Sequence, residues 1–225
     1  MAPRNPPRAI SRRSVVLAGT ALALAGGRAA SVGAAAAQGG GVRPYTIRFS
    51  HVVAEDTPKG LAALRFQALV QERSGGRIGV AIYPEGRLYG DHDEMQALQL
   101  GAVEILAPSL SKFGRIGFAE FELFDLPFLF PDVASVRRIT QGPLGQRMLA
   151  RLQRQRLVGL GFMDNGFKHM SANRPLLTPG HFVGQRMRIQ ASRVLDAQMR
   201  ALHAQPVTLP FSETRRALAL GVVNG

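Results

Sequence analysis

The sequence of 225 residues contains no cysteine and no tryptophan. The lack of cysteine excludes disulfides, thiolate metal sites, iron–sulfur clusters and cysteine nucleophiles. Beyond the N-terminal region no stretch reaches about 18 consecutive strongly apolar residues, so the body of the chain is not predicted to span a membrane. Glycine-rich phosphate loops are missing, and the five histidines show no spacing typical of zinc sites. The sequence therefore predicts no cofactor and no bound metal ion.

Acidic residues are few: 15 Asp and Glu stand against 28 Lys and Arg, which leaves a net charge of +13. The first acid is Glu55, and the opening stretch carries five unopposed arginines at positions 4, 8, 12, 13 and 28. Strong basicity is one route to nucleic-acid binding. Here the remaining Lys and Arg are scattered and no recognition motif accompanies them, so no nucleic-acid partner is predicted.

The N-terminus has the order of an export signal: a basic region, a mildly apolar region and a small-residue segment. Arg12-Arg13 directly precedes the weakly hydrophobic residues 14–25, and alanines fill 34–37. Paired arginines before a weak apolar core favour the twin-arginine route over general secretion or a disordered basic tail. We therefore predict a signal peptide over 1–37 and a periplasmic mature protein.

Apolar periodicity in the remainder predicts an α/β fold. Tyr45, Ile47 and Phe49 alternate with polar residues as in a strand, and a helix follows Thr57-Pro58 and stops at Gly75-Gly76. Strands alternating with helices build mainly parallel sheets. The predicted lobes are 38–164 and 165–225. The further predicted strands are 78–82, 103–107, 157–163, 167–171, 186–190 and 206–209, and the further helices are 91–100, 133–140, 144–155, 192–202 and 212–220.

Few residue patterns suggest chemistry. Arg186 and Arg188 share one strand face, and Arg188 lies just before a predicted helix start at Ser192. A guanidinium there suits a carboxylate, although solvated strand-end arginines are common. The acids of 91–94 are typical of a helix amino terminus. The aromatic-rich segment 120–131 is expected to pack in a core or domain junction.

Serines 109 and 111 follow a predicted strand, and no Gly-x-Ser-x-Gly motif marks either as a nucleophile. We interpret them as hydrogen-bond donors in a cleft. No catalytic residue is predicted from these patterns.

Several short motifs together resemble the substrate-binding proteins of TRAP transporters, the DctP family. The likeness runs from about Tyr45 to Gly225, and its specificity comes from the order of the motifs. They are Phe49-Ser50-His51-Val52, Thr57-Pro58-Lys59-Gly60, Ser74-Gly75-Gly76-Arg77, Tyr83-Pro84, Leu88-Tyr89-Gly90-Asp91, Leu126-Pro127-Phe128-Leu129-Phe130, Gly166-Phe167-Lys168-His169, residues 184–190 and Pro210-Phe211-Ser212-Glu213.

The resemblance implies a two-lobed periplasmic-binding-protein-like receptor that closes around an organic acid and delivers it to TRAP membrane subunits, without catalysis. A C4-dicarboxylate or a related keto or hydroxy acid is the expected ligand. The family's carboxylate-clamping arginine corresponds to Arg188. The other ligand-binding positions implied by the resemblance are Lys168, His51, Ser109, Lys112, Phe211 and, more weakly, Asp91.

The chain departs from the family pattern at Arg215 and Asn224, and it ends at Gly225, before the family's Gln-Glu-Asn segment. The second lobe is therefore expected to be incomplete. Two alternatives stay open: a non-functional remnant of such a receptor, and an exported hydrolase using His51 or Asp91 with a metal. The sequence does not predict the particular acid or the oligomeric state.

Overall fold

The computed structural model describes residues 45–225. The predicted signal peptide and residues 38–44 of the predicted first lobe lie outside the described residues. None of the helices in the described range has both the length and the apolar character that crossing a bilayer requires. The strands and α-helices are β1 (Tyr45–Ser50), α1 (Pro58–Arg73), β2 (Ile78–Tyr83), α2 (Glu94–Gln99), β3 (Ile105–Leu106), α3 (Val133–Thr140), α4 (Pro143–Arg151), β4 (Arg186–Ile189), α5 (Arg193–Ala201), β5 (Gln205–Thr208) and α6 (Phe211–Ala219).

The first sheet has the order β2-β1-β3, and all its pairings are parallel. Phe49 of the central strand β1 lies opposite Ile82 on one side and Ile105 on the other. Its side chain packs with Ala63 of α1 and Val80 of β2 in a buried apolar cluster. Apolar alternation thus brings β1 against α1, as the sequence predicts.

Local sequence signals set the ends of α1. The Thr57 hydroxyl accepts a hydrogen bond from the Gly60 N–H at 3.2 Å, and Pro58 occupies the first turn. The helix ends at Arg73, and Gly75 and Gly76 follow with positive φ angles, which glycine adopts without steric cost. The predicted helix and both of its boundary signals are confirmed.

The second sheet pairs β4 with β5 in parallel, with Arg188 opposite Val207. Met187 and Ile189 are buried against Leu195 and Met199 of α5. Because side chains alternate along a strand, Arg188 points to the other face. Two parallel sheets covered by helices confirm the α/β fold class.

Two predicted strands, 157–163 and 167–171, are wrong. The structure assigns neither segment to a strand, because no strand of the described residues is hydrogen-bonded alongside either of them. Val158 and Leu160 are 74% and 73% exposed. Apolar alternation is necessary for a strand but does not supply its partner, and a strand without a partner is not stable.

Three other predicted elements differ from the structure by more than one residue at an end. The third predicted strand shortens to Ile105–Leu106, and the predicted helix 91–100 begins only at Glu94. The predicted helix 144–155 is α-helical to Arg151 and continues as a 3₁₀ turn to Gln155.

The aromatic segment 120–131 is buried in one part and exposed in another. Phe121 is buried and stacks on Phe113 at 4.7 Å, as expected, whereas Phe128 is fully exposed at the tip of its loop.

Candidate functional site

Except for Lys168, which lies in an irregular segment, the residues predicted to bind a ligand lie at the ends of strands of both sheets or in the segments that follow them. His51 follows β1, Ser109 and Lys112 follow β3, Arg188 lies near the end of β4, and Phe211 opens α6 after β5. Parallel strands bring their carboxyl ends to one edge of a sheet, where such folds bind ligands. The structure therefore gathers predicted residues that are far apart in sequence.

Arg188 has no carboxylate partner within 4.0 Å among residues 45–225, and neither has the buried Lys59, whose ammonium donates to a backbone carbonyl. Its Nε donates to the Leu209 carbonyl at 3.0 Å, and its guanidinium carbon lies 5.9 Å from the centre of the Phe211 ring. The two terminal amino groups have no hydrogen-bond acceptor in the described part of the chain. Burial lowers the pKa of Arg188, and nearby Asp91 opposes that shift. Arginine nevertheless stays charged, so Arg188 presents a partly desolvated forked donor.

Asp91 joins the loop after β2 to the start of α6. It forms an ion pair with the Lys112 ammonium and accepts a hydrogen bond from the backbone N–H of Phe211. Burial opposes ionisation of Asp91, but these two donors outweigh it and hold the pKa of the carboxyl below its ordinary value. Both Asp91 oxygens are occupied by protein donors. This geometry favours a positioning role over direct ligand contact.

Lys112 lies in a buried cluster of charges. Its ammonium also pairs with Glu94, whose side chain is fully buried. Lys59, nearly buried as well, donates to the Ala107 carbonyl at 3.0 Å. Glu94 lies in the first turn of α2, as expected of an acid at a helix start, but its carboxylate pairs with Lys112. Asp91 lies ahead of the helix and pairs with the same ammonium, so the expected helix-start role is wrong for Asp91. Asp93 instead accepts from the Gly90 N–H at 2.9 Å.

A polar network connects Lys168 with both sheets. Its ammonium pairs with the buried Asp125 carboxylate and lies 3.1 Å from the Ser111 hydroxyl. Ser109 and Ser111 each lie 3.1 Å from Oε1 of Gln190, the residue after β4. Sequence reasoning missed Gln190 and Asp125 as site residues. Gln190 could have been predicted from its position at the end of a strand. For Asp125 the sequence offers only the presence of an acid within an apolar segment.

His51 and Phe211 have different settings. His51 is fully buried, and neither ring nitrogen has a hydrogen-bond partner among the described residues. The Phe211 ring is half-exposed and lies against the Arg188 guanidinium.

In residues 45–225 no group of three or more His, Asp or Glu side chains is arranged to hold a metal ion.

The buried His51 is expected to make folding stability depend on pH. Burial lowers its pKa, so the unfolded chain takes up a proton near pH 6.5, before the folded chain does. The contribution of the neutral His51 ring to the free energy of unfolding is fully present above about pH 6.5. It is lost as the pH falls towards the pKa of His51 in the folded chain, by up to about 1.4 kcal/mol per pH unit. Urea unfolding between about pH 7.5 and 5 measures this effect. The free energy of unfolding of His51→Leu should depend less on pH than that of the parent, because the variant lacks the titrating ring.

The exposed His92 offers a matched control for this measurement. His92→Gln should retain the pH profile of the parent. Parallel profiles for the parent and His51→Leu would show that His51 does not cause the acid sensitivity.

This chain belongs to a family of receptors that bind solutes. Residues 49–225 match the model of the family described as bacterial extracellular solute-binding protein, family 7, also named DctP. The resemblance read from the motifs is thereby confirmed.

Individual relatives agree with this assignment. The chain is 51% identical over 182 residues to the C4-dicarboxylate-binding periplasmic protein DctP of Rhodobacter capsulatus, covering 81% of this chain and 55% of the relative. It is 42% identical to the C4-dicarboxylate-binding protein DctB of Bacillus subtilis, covering 79% of this chain and 51% of the relative. The chain thus spans about half the length of these curated relatives.

Solved structures show the same fold. A TRAP periplasmic solute-binding protein from Shewanella oneidensis with bound succinate has a TM-score of 0.78 and 46% identity, over 81% of this chain and 59% of that one. One from Pseudomonas aeruginosa with bound L-malate has a TM-score of 0.77 and 41% identity, over 80% of this chain and 63% of that one. The periplasmic-binding-protein-like fold class is therefore confirmed, over the part of that fold which this chain spans.

Proposed function

We propose that this chain is the substrate-binding component of a TRAP transporter. It binds a C4-dicarboxylate, or a related keto or hydroxy acid, and delivers it to the membrane subunits without chemical change. The observation that carries the proposal is the forked, partly desolvated donor of Arg188, which has no carboxylate partner in the described part of the chain. An organic carboxylate matches this donor in both geometry and charge.

The roles of the remaining residues follow from their contacts. Lys168 and the hydroxyl of Ser109 offer polar contacts at the rim, and Phe211 offers an aromatic surface for the carbon chain. His51 contributes a neutral buried ring. Lys112 and Asp91 hold one another and the start of α6, so they support the site from behind.

Relatives support the ligand class and the compartment. The Rhodobacter capsulatus relative is named a C4-dicarboxylate-binding periplasmic protein, and the related solved structures contain succinate and L-malate. A periplasmic location for this chain accords with those names. Export by the twin-arginine route is our inference from Arg12-Arg13.

Calorimetric titration of the purified chain with a panel of small acids tests this function. We expect succinate, fumarate and L-malate to bind, and the neutral diamide of succinate to give no binding heat, because only carboxylates pair with Arg188. Equal binding of the diamide, or no binding of any acid, would contradict the proposal.

A further inference from the structure

Charged groups of alternating sign extend from the proposed ligand contact into the protein interior. Arg188 lies against Phe211, whose backbone N–H binds Asp91, and Asp91 pairs with Lys112, which pairs with Glu94. The series runs from the proposed ligand contact to a side chain with no exposed surface. A charge added beside Arg188 therefore changes the electrostatic potential at Glu94, because the protein interior between them screens charge poorly.

Three charged groups face Glu94, each from a different segment. Lys112 comes from the 3₁₀ helix after β3, Asp91 from the loop before α2, and Lys59 from α1. Lys59 is nearly buried and also interacts with Lys112. His51 lies near Lys59, and its ring carries no hydrogen bond from the described residues.

The charges of this cluster nearly balance. Arg188, Lys59 and Lys112 supply three positive charges, and Asp91 and Glu94 supply two negative ones, which leaves one positive charge. Lys168 and Asp125 form a separate neutral pair. One ligand carboxylate therefore neutralises the cluster. The second carboxylate of a dicarboxylate leaves it with an excess negative charge in a poorly solvated place, which is unfavourable unless a proton enters.

Glu94 is the group best placed to accept that proton. Its Oε2 is buried and has no hydrogen-bond partner among the described residues, whereas both Asp91 oxygens are occupied by protein donors. Burial also raises the pKa of Glu94, with Lys112 opposing the shift, while the pKa of Asp91 is held low. Protonation of Glu94 removes one charge without breaking the contacts that Asp91 makes.

We propose that binding of a dicarboxylate by this protein is coupled to the uptake of a proton at Glu94. This inference rests on the proposed function and adds to it a pH dependence of the site. A ligand with one carboxylate leaves the cluster neutral and takes up little or no proton. Dicarboxylate affinity accordingly falls as the pH rises, by up to tenfold per unit where uptake reaches one proton.

Calorimetry in two buffers of different ionisation enthalpy, phosphate and Tris, measures the proton directly at about pH 7.5, where aqueous fumarate carries both charges. The apparent binding enthalpy of fumarate should differ between the buffers by at least about half of the difference in their ionisation enthalpies, which corresponds to the uptake of about half a proton or more. Glu94→Gln should remove the difference. Glu213→Gln, in which an exposed acid of α6 is neutralised, should retain it.

The possible results separate the two proposals. Fumarate binding with equal apparent enthalpy in both buffers would overturn proton uptake while leaving the transport function standing. A buffer difference that persists in Glu94→Gln but disappears in His51→Gln would overturn the assignment to Glu94. No binding of fumarate, succinate or L-malate by the parent would instead contradict the proposed function. An unchanged pH dependence of affinity between the parent and Glu94→Gln would also count against the inference.

Discussion

Arg188→Ala is expected to weaken binding of succinate or L-malate by at least about a hundredfold, because it removes two or more charged hydrogen bonds worth about 1.5–3 kcal/mol each. The Arg188 side chain belongs to none of the three apolar clusters of the described residues, and its one protein hydrogen bond is to the Leu209 carbonyl. The variant should therefore fold. Titration calorimetry of parent and variant gives the affinity, and urea unfolding gives the stability.

Two further variants sharpen this test. Arg188→Lys keeps the charge but loses the planar fork, so we expect an intermediate loss of about tenfold or more. Arg186→Ala is the matched control, since Arg186 lies on the same face of β4, is exposed and donates to the Gly221 carbonyl. It should bind like the parent. Equal losses from Arg186→Ala and Arg188→Ala would indicate a general effect of positive charge and contradict the clamp.

Lys112→Met is expected to produce the largest loss of stability. It leaves the buried Glu94 without its ion-pair partner and Asp91 with one fewer donor. Breaking a buried pair by removing one member typically costs about 3–5 kcal/mol in the free energy of unfolding. Urea unfolding at neutral pH measures the change.

A surface ion pair provides the comparison for Lys112→Met. Arg48 pairs with Glu104 at 2.6 Å, but both side chains remain partly exposed. Arg48→Met should therefore be much less destabilising, because water solvates the remaining carboxylate. Lys112→Met combined with Glu94→Met should recover much of the lost stability, since no charge then remains at position 94. If Lys112→Met were no more damaging than Arg48→Met, the buried cluster would not contribute as described.

Sequence reasoning predicted local structure well where the signal lies within a few neighbouring residues. The Thr57 cap, Pro58 and the glycines after α1 specify that helix, and α3 occupies its predicted range. The strands at 157–163 and 167–171 were wrong, because a strand depends on a hydrogen-bonded neighbour that periodicity cannot reveal. The same limitation explains why the shared partner of Asp91 and Glu94, which is Lys112, was not predicted.

The sequence by itself determined the α/β class, the parallel direction of the strands and the placement of Arg188 near the end of one of them. These features follow from apolar periodicity, capping residues and ordered motifs. Only the tertiary structure decided which polar groups meet. Asp91 accepts a hydrogen bond from the Phe211 N–H, 120 positions later in the sequence, and Ser109 contacts Gln190, 81 positions later. Ionic and hydrogen-bond partners depend on distance in space, and the packing of the two sheets sets that distance.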